Sequence, residues 1–423
     1  MKISGNVRPP GDKSITHRLL LIGALSQGRC ILRHALRSDD SQAMTGALRS
    51  LGIEIDDEGG GSDRVIVNGK GLQGLRKASA ALDCGNSGTT ARFLLGTLAA
   101  YSFESRIVGD RSLSGRPMKR VTDPLTLMGA KFCFERNDGL PVIVKGGRLA
   151  ALNYGSPVAS AQIKSALILA GLAGGVEVAV EEPQRSRDHT ERLLAELGQD
   201  IQIQPRSVRF RPGAEVPEFA AEVPGDMSAA AFLIAAASLA ESGELVLERV
   251  GVNPTRTGLV RVLRSMGCQI EIAELGSSLG EPIATLSVKA GELRGVNISR
   301  SDVPSLIDEI PILAVLAARA QGTTRFDGVG ELAFKESNRL ELLRDNLRRI
   351  GVGVDSTDDS LIVHGTDKPL GGRIATGGDH RMAMAFAVLS AMGNSGVEVP
   401  DRLSPVVSYP DFFQDLSQIT GDA

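Results

Sequence analysis

The feature that most constrains how this chain can fold is a helix end that recurs along it. A Leu-rich turn, a Gly and a β-rich run follow one another at Leu48-Arg49-Ser50-Leu51-Gly52, Leu125-Thr126-Leu127-Met128-Gly129, Leu194-Ala195-Glu196-Leu197-Gly198, Leu263-Arg264-Ser265-Met266-Gly267 and Leu347-Arg348-Arg349-Ile350-Gly351. Each Gly suits a left-handed helix C-cap, and the Ile/Val alternation after it suits a strand. Between these copies lie apolar, Ala-rich helical segments beginning near Ser14, Ser87, Ser160, Ser228, Asp308 and Asp379, about 70 to 80 residues apart. The spacing implies six copies of one mixed α/β unit, with the Ala-rich helices buried and amphipathic helices and sheets outside them. A repeat that only stacks neighbours, as in a solenoid scaffold, rarely has so long a period of mixed strands and helices.

Pro10-Gly11-Asp12-Lys13-Ser14 is duplicated at Pro224-Gly225-Asp226-Met227-Ser228, each copy feeding an apolar helix. Three units therefore fall in each half, and the two Pro-Gly-Asp sites suit the crossings between two domains. The expected division is residues 1–11 with 227–423 as one discontinuous domain and 12–226 as the other, hinged near Asp12 and Asp226. A length of 423 residues agrees with two cores rather than one.

Charge then narrows the function. The formal net charge is −3, so no overall positive field attracts nucleic acid, and any anion site must be a local cluster of Lys and Arg. Apolar runs such as Ser228 to Ala240 fall short of the roughly 20 residues that span a bilayer. With no apolar N-terminal leader, the expected address is cytoplasmic. Four scattered Cys and five His lack CxxC or HExxH spacing, which predicts neither disulfides nor a metal or other cofactor.

The local clusters sit at the helix starts. Lys13, Ser14 and Arg18 open the first, where a helix would direct backbone N–H groups, Lys13 and Ser14 at an anion, with Arg18 one turn further along. The segment is not a P-loop, because Asp12 separates Gly11 from Lys13. Asp83-Cys84-Gly85-Asn86-Ser87-Gly88 is a Gly-rich turn that leaves room for a small ligand at Gly88. Arg116 lies in the polar loop Gly109 to Met118. In the second half, Asp308-Glu309 interrupts an apolar segment, where carboxylates need partners. Lys335 and Arg339, at i and i+4, are expected on one helical face beside Glu336. Gly378-Asp379-His380-Arg381 opens the last Ala-rich helix.

Each segment is weak alone, and each also reads as an ordinary cap, turn or solvated helix. Together, in one order, GDKSxTHR, GNSGTTxR, SLxxRPM, SAQxKSA, KESxR and GDHRMAM resemble the 3-phosphoshikimate 1-carboxyvinyltransferases, also called 5-enolpyruvylshikimate-3-phosphate synthases. The resemblance runs from Pro10 to Ser408-Tyr409-Pro410-Asp411-Phe412-Phe413. It implies a two-domain inside-out α/β barrel of six βαβαββ repeats, three per domain, acting as a monomer without cofactor and closing around shikimate 3-phosphate and phosphoenolpyruvate.

By motif position the resemblance implies that Lys13, Ser14, Arg18, Ser160, Gln162, Ser186, Asp308 and Lys335 meet shikimate 3-phosphate. Lys13, Gly88, Arg116, Gln162, Arg339 and Arg381 would surround phosphoenolpyruvate. Asp308, Glu336 and Lys13 would be catalytic, with Asp308 taking the proton of the acceptor hydroxyl. One departure is Val407, which stands where many relatives carry a Lys. Ala161 and Lys164 place the chain in a divergent branch. The sister transferases acting on UDP-N-acetylglucosamine usually have a Cys before their Arg-Pro, and Ser112 to Gly115 contain none.

Overall fold

The computed structural model describes residues 1–57, 64–392 and 395–421. The chain forms two compact units: Met1–Pro10 with Pro224–Gly276 and Pro282–Ala423, and Gly11–Val223 with Ser277–Glu281. The tip of the hairpin formed by strands Gln269–Ser278 and Glu281–Lys289 thus belongs with the second unit, an excursion for which the sequence carries no signal.

Six apolar segments form the inner helices, labelled here α1 (Lys13–Leu25), α2 (Gly88–Leu98), α3 (Ala161–Gly174), α4 (Met227–Leu239), α5 (Ile310–Arg319) and α6 (His380–Ala391). The first three lie in the second unit and the last three in the first. Helices this apolar all round have no solvent face. In α4 every residue from Met227 to Ser238 is buried, and in α3 every residue from Ile163 to Ala173. Small side chains let neighbours approach closely: a Cβ added to Gly96 of α2 would lie 2.2 Å from the Ala166 carbonyl oxygen of α3.

Amphipathic outer helices follow the inner ones, and the five glycines that end them all have positive φ, from +81° at Gly198 to +110° at Gly129. Each leads into a strand. A sixth outer helix, Phe412–Thr420, ends the same way at Gly421 with φ +75°. The sequence reading missed it because Thr420, not a Leu, Met or Ile, precedes the glycine.

Around the inner helices of the second unit stand three four-stranded sheets of one pattern. Strand Ala220–Glu222 pairs in parallel with Gln27–Arg33, Leu82–Asp83 with Glu104–Val108, and Leu152–Gly155 with Val178–Glu181. Two further antiparallel strands complete each sheet. The first unit has two such sheets, and Lys2–Val7 closes one of them by pairing in parallel with Ser242–Gly251. Its third sheet is only the parallel pair Gly371–Arg373 and Gly396–Glu398 among the described residues. Each sheet turns alternate residues inward, such as Cys30, Leu32, Val65 and Val67, onto one apolar core per unit.

The duplicated Pro-Gly-Asp sites do the same local work. Asp12 Oδ1 accepts the Ile15 N–H at 2.9 Å to cap α1, and Asp226 Oδ1 accepts the Ser228 N–H at 2.7 Å to cap α4. Gly11 is required on steric grounds, since a Cβ there would fall 1.9 Å from the His34 carbonyl oxygen. None of the described helices is long and apolar enough to cross a membrane.

Candidate active site

In the second unit, side-chain bonds tie the starts of α1, α2 and α3 together at one end of the bundle. The buried His17 ring contacts the Lys13 carbonyl through Nδ1 at 2.7 Å and the Ser87 hydroxyl, cap of α2, through Nε2 at 3.2 Å. Burial lowers its pKa although Asp40 pulls the other way. Lys13 Nζ lies 3.0 Å from Asp40 Oδ2. The three helix starts are linked to one another, and a helix start carries partial positive charge that favours anions.

Arg18 is buried and splayed across three neutral acceptors: Nε to Thr190 Oγ1 at 2.7 Å, Nη1 to the Ser14 carbonyl at 2.8 Å and Nη2 to Ser165 Oγ at 2.8 Å. Its guanidinium stacks 4.8 Å from the Phe93 ring centre. Burial pulls its pKa down to about 10 against the field of Glu191. A buried cation hydrogen-bonded to neutral groups retains affinity for an anion.

Gly88, Arg116 and Gln162 come together with a residue that the sequence reading did not single out, Arg92. Arg92 Nη1 donates to Gln162 Oε1 at 2.7 Å, and Gln162 Nε2 donates to Thr89 Oγ1 at 3.0 Å. Arg116 Nη2 donates to Asn86 Oδ1 at 2.5 Å, and Asn86 Nδ2 in turn donates to Asp110 Oδ2 at 2.6 Å. A Cβ on Gly88 would meet Arg92 Nη1 at 2.6 Å and Arg116 Nη1 at 3.4 Å, so the glycine leaves room for both guanidinium groups. The signal for Arg92 was present, because it ends the GNSGTTxR segment.

Ser160 caps α3, accepting the Ile163 N–H at 3.4 Å, and Ser186 donates its hydroxyl to Glu182 Oε1 at 2.7 Å. Glu182 also accepts the Ser160 N–H at 3.1 Å.

In the first unit, the starts of α5 and α6 carry the second cluster. Asp308 lies in a 3-10 turn, Ile307–Glu309, just ahead of α5. Lys335 Nζ lies 3.3 Å and Arg339 Nη1 3.5 Å from Asp308 Oδ1. Arg339 is fully buried, with Nε 2.8 Å from Asp379 Oδ2 and Nη2 2.6 Å from Glu336 Oε2. Burial alone would lower its pKa, but Asp379, Glu336 and Asp308 outweigh that and raise it. Arg381 Nη1 donates to the Asp308 carbonyl at 3.2 Å.

The expectation that Lys335 and Arg339 share a helical face is wrong. Lys335 is extended, and the outer helix Arg339–Arg349 begins only at Arg339, where Asn338 Oδ1 caps it by accepting the Glu341 N–H at 3.2 Å. An Asn cap stops helix from extending back through Ser337. The two cations still converge, because both reach Asp308.

Arg256 was also missed. It is buried and donates Nη2 to Asp226 Oδ1 at 2.8 Å and to Ser228 Oγ at 2.7 Å, while Ser228 donates to Glu309. Nothing local in the sequence marks it. Val407 ends a 3-10 turn, Ser404–Val407, and is half-buried, so this turn offers no cation at that position.

Both clusters gather Lys and Arg side chains at helix starts, and in the second they are paired with Asp308, Glu336 and Asp379. The family model described as EPSP synthase (3-phosphoshikimate 1-carboxyvinyltransferase) matches residues 1–416. The chain is similar to the 3-phosphoshikimate 1-carboxyvinyltransferase of Bacillus licheniformis, at 42% identity over 423 residues covering 100% of this chain and 98% of that one. It is similar to that of Desulforamulus reducens at 44% identity over 422 residues, covering 99% and 97%. The solved structure of EPSP synthase from Acinetobacter baumannii superposes with a TM-score of 0.85 at 36% identity, covering 99% of this chain and 95% of that one. With its two units of inner helices and its helix-start motifs, the chain belongs to the EPSP synthase (3-phosphoshikimate 1-carboxyvinyltransferase) family.

Proposed function

We propose that the chain moves the carboxyvinyl group of phosphoenolpyruvate onto the 5-hydroxyl of shikimate 3-phosphate, releasing phosphate. The observation that carries this reading is the placement of Asp308, a carboxylate with Lys335 and Arg339 at 3.3 and 3.5 Å. A carboxylate positioned there can take a proton from a hydroxyl brought within hydrogen-bond reach.

In the second unit, Lys13, Ser14, Arg18, Ser160, Gln162 and Ser186 bind shikimate 3-phosphate, and Lys13, Gly88, Arg116 and Gln162 bind phosphoenolpyruvate. Arg92, bonded to Gln162, joins the latter set. In the first unit, Asp308 and Lys335 meet the acceptor hydroxyls, and Arg339 and Arg381 meet the donor. Guanidinium groups suit carboxylate and phosphate because their paired N–H donors match two oxygens.

Asp308 removes the proton of the 5-hydroxyl as that oxygen bonds to C2 of the enolpyruvate. Glu336 or Lys335 delivers a proton to C3, which becomes a methyl group, and a tetrahedral adduct forms. Loss of phosphate from C2 and of one methyl proton restores the double bond. Each positioned proton transfer contributes about 10²- to 10⁴-fold in rate. The test is phosphate release from phosphoenolpyruvate by the purified chain: release that depends on shikimate 3-phosphate supports the reading, and release with UDP-N-acetylglucosamine instead overturns it.

A further inference from the structure

Beneath Ser160 and Ser186, two of the serines assigned to shikimate 3-phosphate, lies a charge cluster with no role in the chemistry above. Glu182, which follows strand Val178–Glu181, is 4% exposed. Its Oε1 accepts from the Ser160 N–H at 3.1 Å and the Ser186 hydroxyl at 2.7 Å. Its Oε2 accepts from Lys164 Nζ at 2.8 Å and the Ser186 N–H at 3.4 Å. Lys164 Nζ also lies 2.8 Å from Glu191 Oε1, and all three side chains are at least nine-tenths buried.

A buried ion cluster is a poor source of stability, because apolar replacements of the same volume are often as good. Its value here lies in geometry. The Glu182 carboxylate has both oxygens committed, three of its four bonds to Ser160 and Ser186, which are far apart in sequence. An unneutralised carboxylate so close to the shikimate 3-phosphate site would repel the ligand, and Lys164 sits on its far oxygen. Burial acts against the Lys164 charge, yet Glu191 and Glu182 outweigh it and raise its pKa, so the cation persists.

The hydroxyl hydrogens also divide. Ser186 gives its only hydroxyl hydrogen to Glu182, whereas Ser160 Oγ accepts from Ile163 N–H and keeps its own hydrogen available to a ligand.

We propose that Glu182 and Lys164 are positioning residues for binding of shikimate 3-phosphate: Glu182 holds Ser160 and Ser186 in register and leaves the Ser160 hydroxyl as the donor to the ligand, while Lys164, shared with Glu191, offsets the carboxylate charge. The proposal rests on shikimate 3-phosphate being the acceptor. The test is steady-state kinetics on the full chain with each substrate varied in turn, for Glu182→Gln and Lys164→Arg. Glu182→Gln raises KM for shikimate 3-phosphate about tenfold and changes KM for phosphoenolpyruvate by less than about twofold, while Lys164→Arg, which keeps the charge, stays within about threefold of wild type in both.

A Glu182→Gln protein with a lower melting temperature or kcat but unchanged KM for shikimate 3-phosphate would overturn the proposal, as would an equal rise in both KM values. If Glu182→Gln does not fold, the double variant Glu182→Gln/Lys164→Gln, which leaves net charge unchanged, must show the same split. Loss of the fold in both would mark the pair as structural only and contradict the proposal. Wild-type protein that releases no phosphate with shikimate 3-phosphate would instead remove the functional reading itself.

Discussion

Arg339 donates its Nε–H to Asp379 Oδ2 at 2.8 Å, and both side chains are wholly out of solvent. The same carboxylate accepts the Arg381 N–H at 2.9 Å, capping α6, and the Ser337 hydroxyl at 2.9 Å. One aspartate therefore sets the place of both arginines that the account gives to phosphoenolpyruvate in the first unit. Removing one partner of a buried pair leaves an uncompensated charge, so Asp379→Ala is expected to cost about 3–5 kcal/mol. The urea midpoint checks the stability, and KM for phosphoenolpyruvate is expected to rise with it.

The pH dependence of that contribution has a definite sign. Burial alone would raise the Asp379 pKa, but Arg339 and His380 outweigh it, so it lies below the ordinary aspartate value. A carboxylate depressed in the fold stabilises fully above its unfolded pKa, and the gain is lost as pH falls through the folded one. The stability gap between wild type and Asp379→Asn should be flat from neutral pH down to about 4 and narrow below it. Urea midpoints of both proteins across that range provide the check, and a gap that narrows between pH 7 and 5 would contradict it.

Gly88→Ala is expected to fold normally, since the atom that its Cβ meets, Arg92 Nη1 at 2.6 Å, is the end of a flexible side chain. Arg92 must swing away from Gln162, so KM for phosphoenolpyruvate should rise about tenfold. An unchanged KM would remove Arg92 from the donor site.

Two glycines separate backbone strain from packing. Gly198 has φ +81° with open space around it, so Gly198→Ala should cost about 1–2 kcal/mol from the left-handed conformation alone. At Gly96 the obstacle is the Ala166 backbone at 2.2 Å, which no rotamer relieves, so Gly96→Ala should cost about 3 kcal/mol or more. Thermal denaturation of the two variants should therefore place Gly96→Ala clearly below Gly198→Ala.

What was legible in the sequence was local. Caps and C-terminal glycines act over four or five residues, so the starts at Lys13, Gly88 and His380 and the ends at Gly52 or Gly351 could be read directly. Two misses came from local competition: Asn338 begins a helix that the Lys335/Arg339 spacing would have started earlier, and Thr420 disguises the sixth helix end. The other misses were long-range. Glu182 holds Ser160 from 22 residues away, Arg256 holds Asp226 from 30, and Lys13 meets Asp40 from 27, through turns whose course no periodicity reports. Arg92 differs, since its motif was in view and only its bond to Gln162, 70 residues on, gave it a role.

The central claim, that Asp308 is the base that activates the acceptor, is tested most directly by phosphate release from phosphoenolpyruvate plus shikimate 3-phosphate, comparing wild type with Asp308→Ala. The account predicts release that requires shikimate 3-phosphate and falls about 10²- to 10⁴-fold in kcat in the variant. A folded Asp308→Ala protein with kcat near wild type would contradict it.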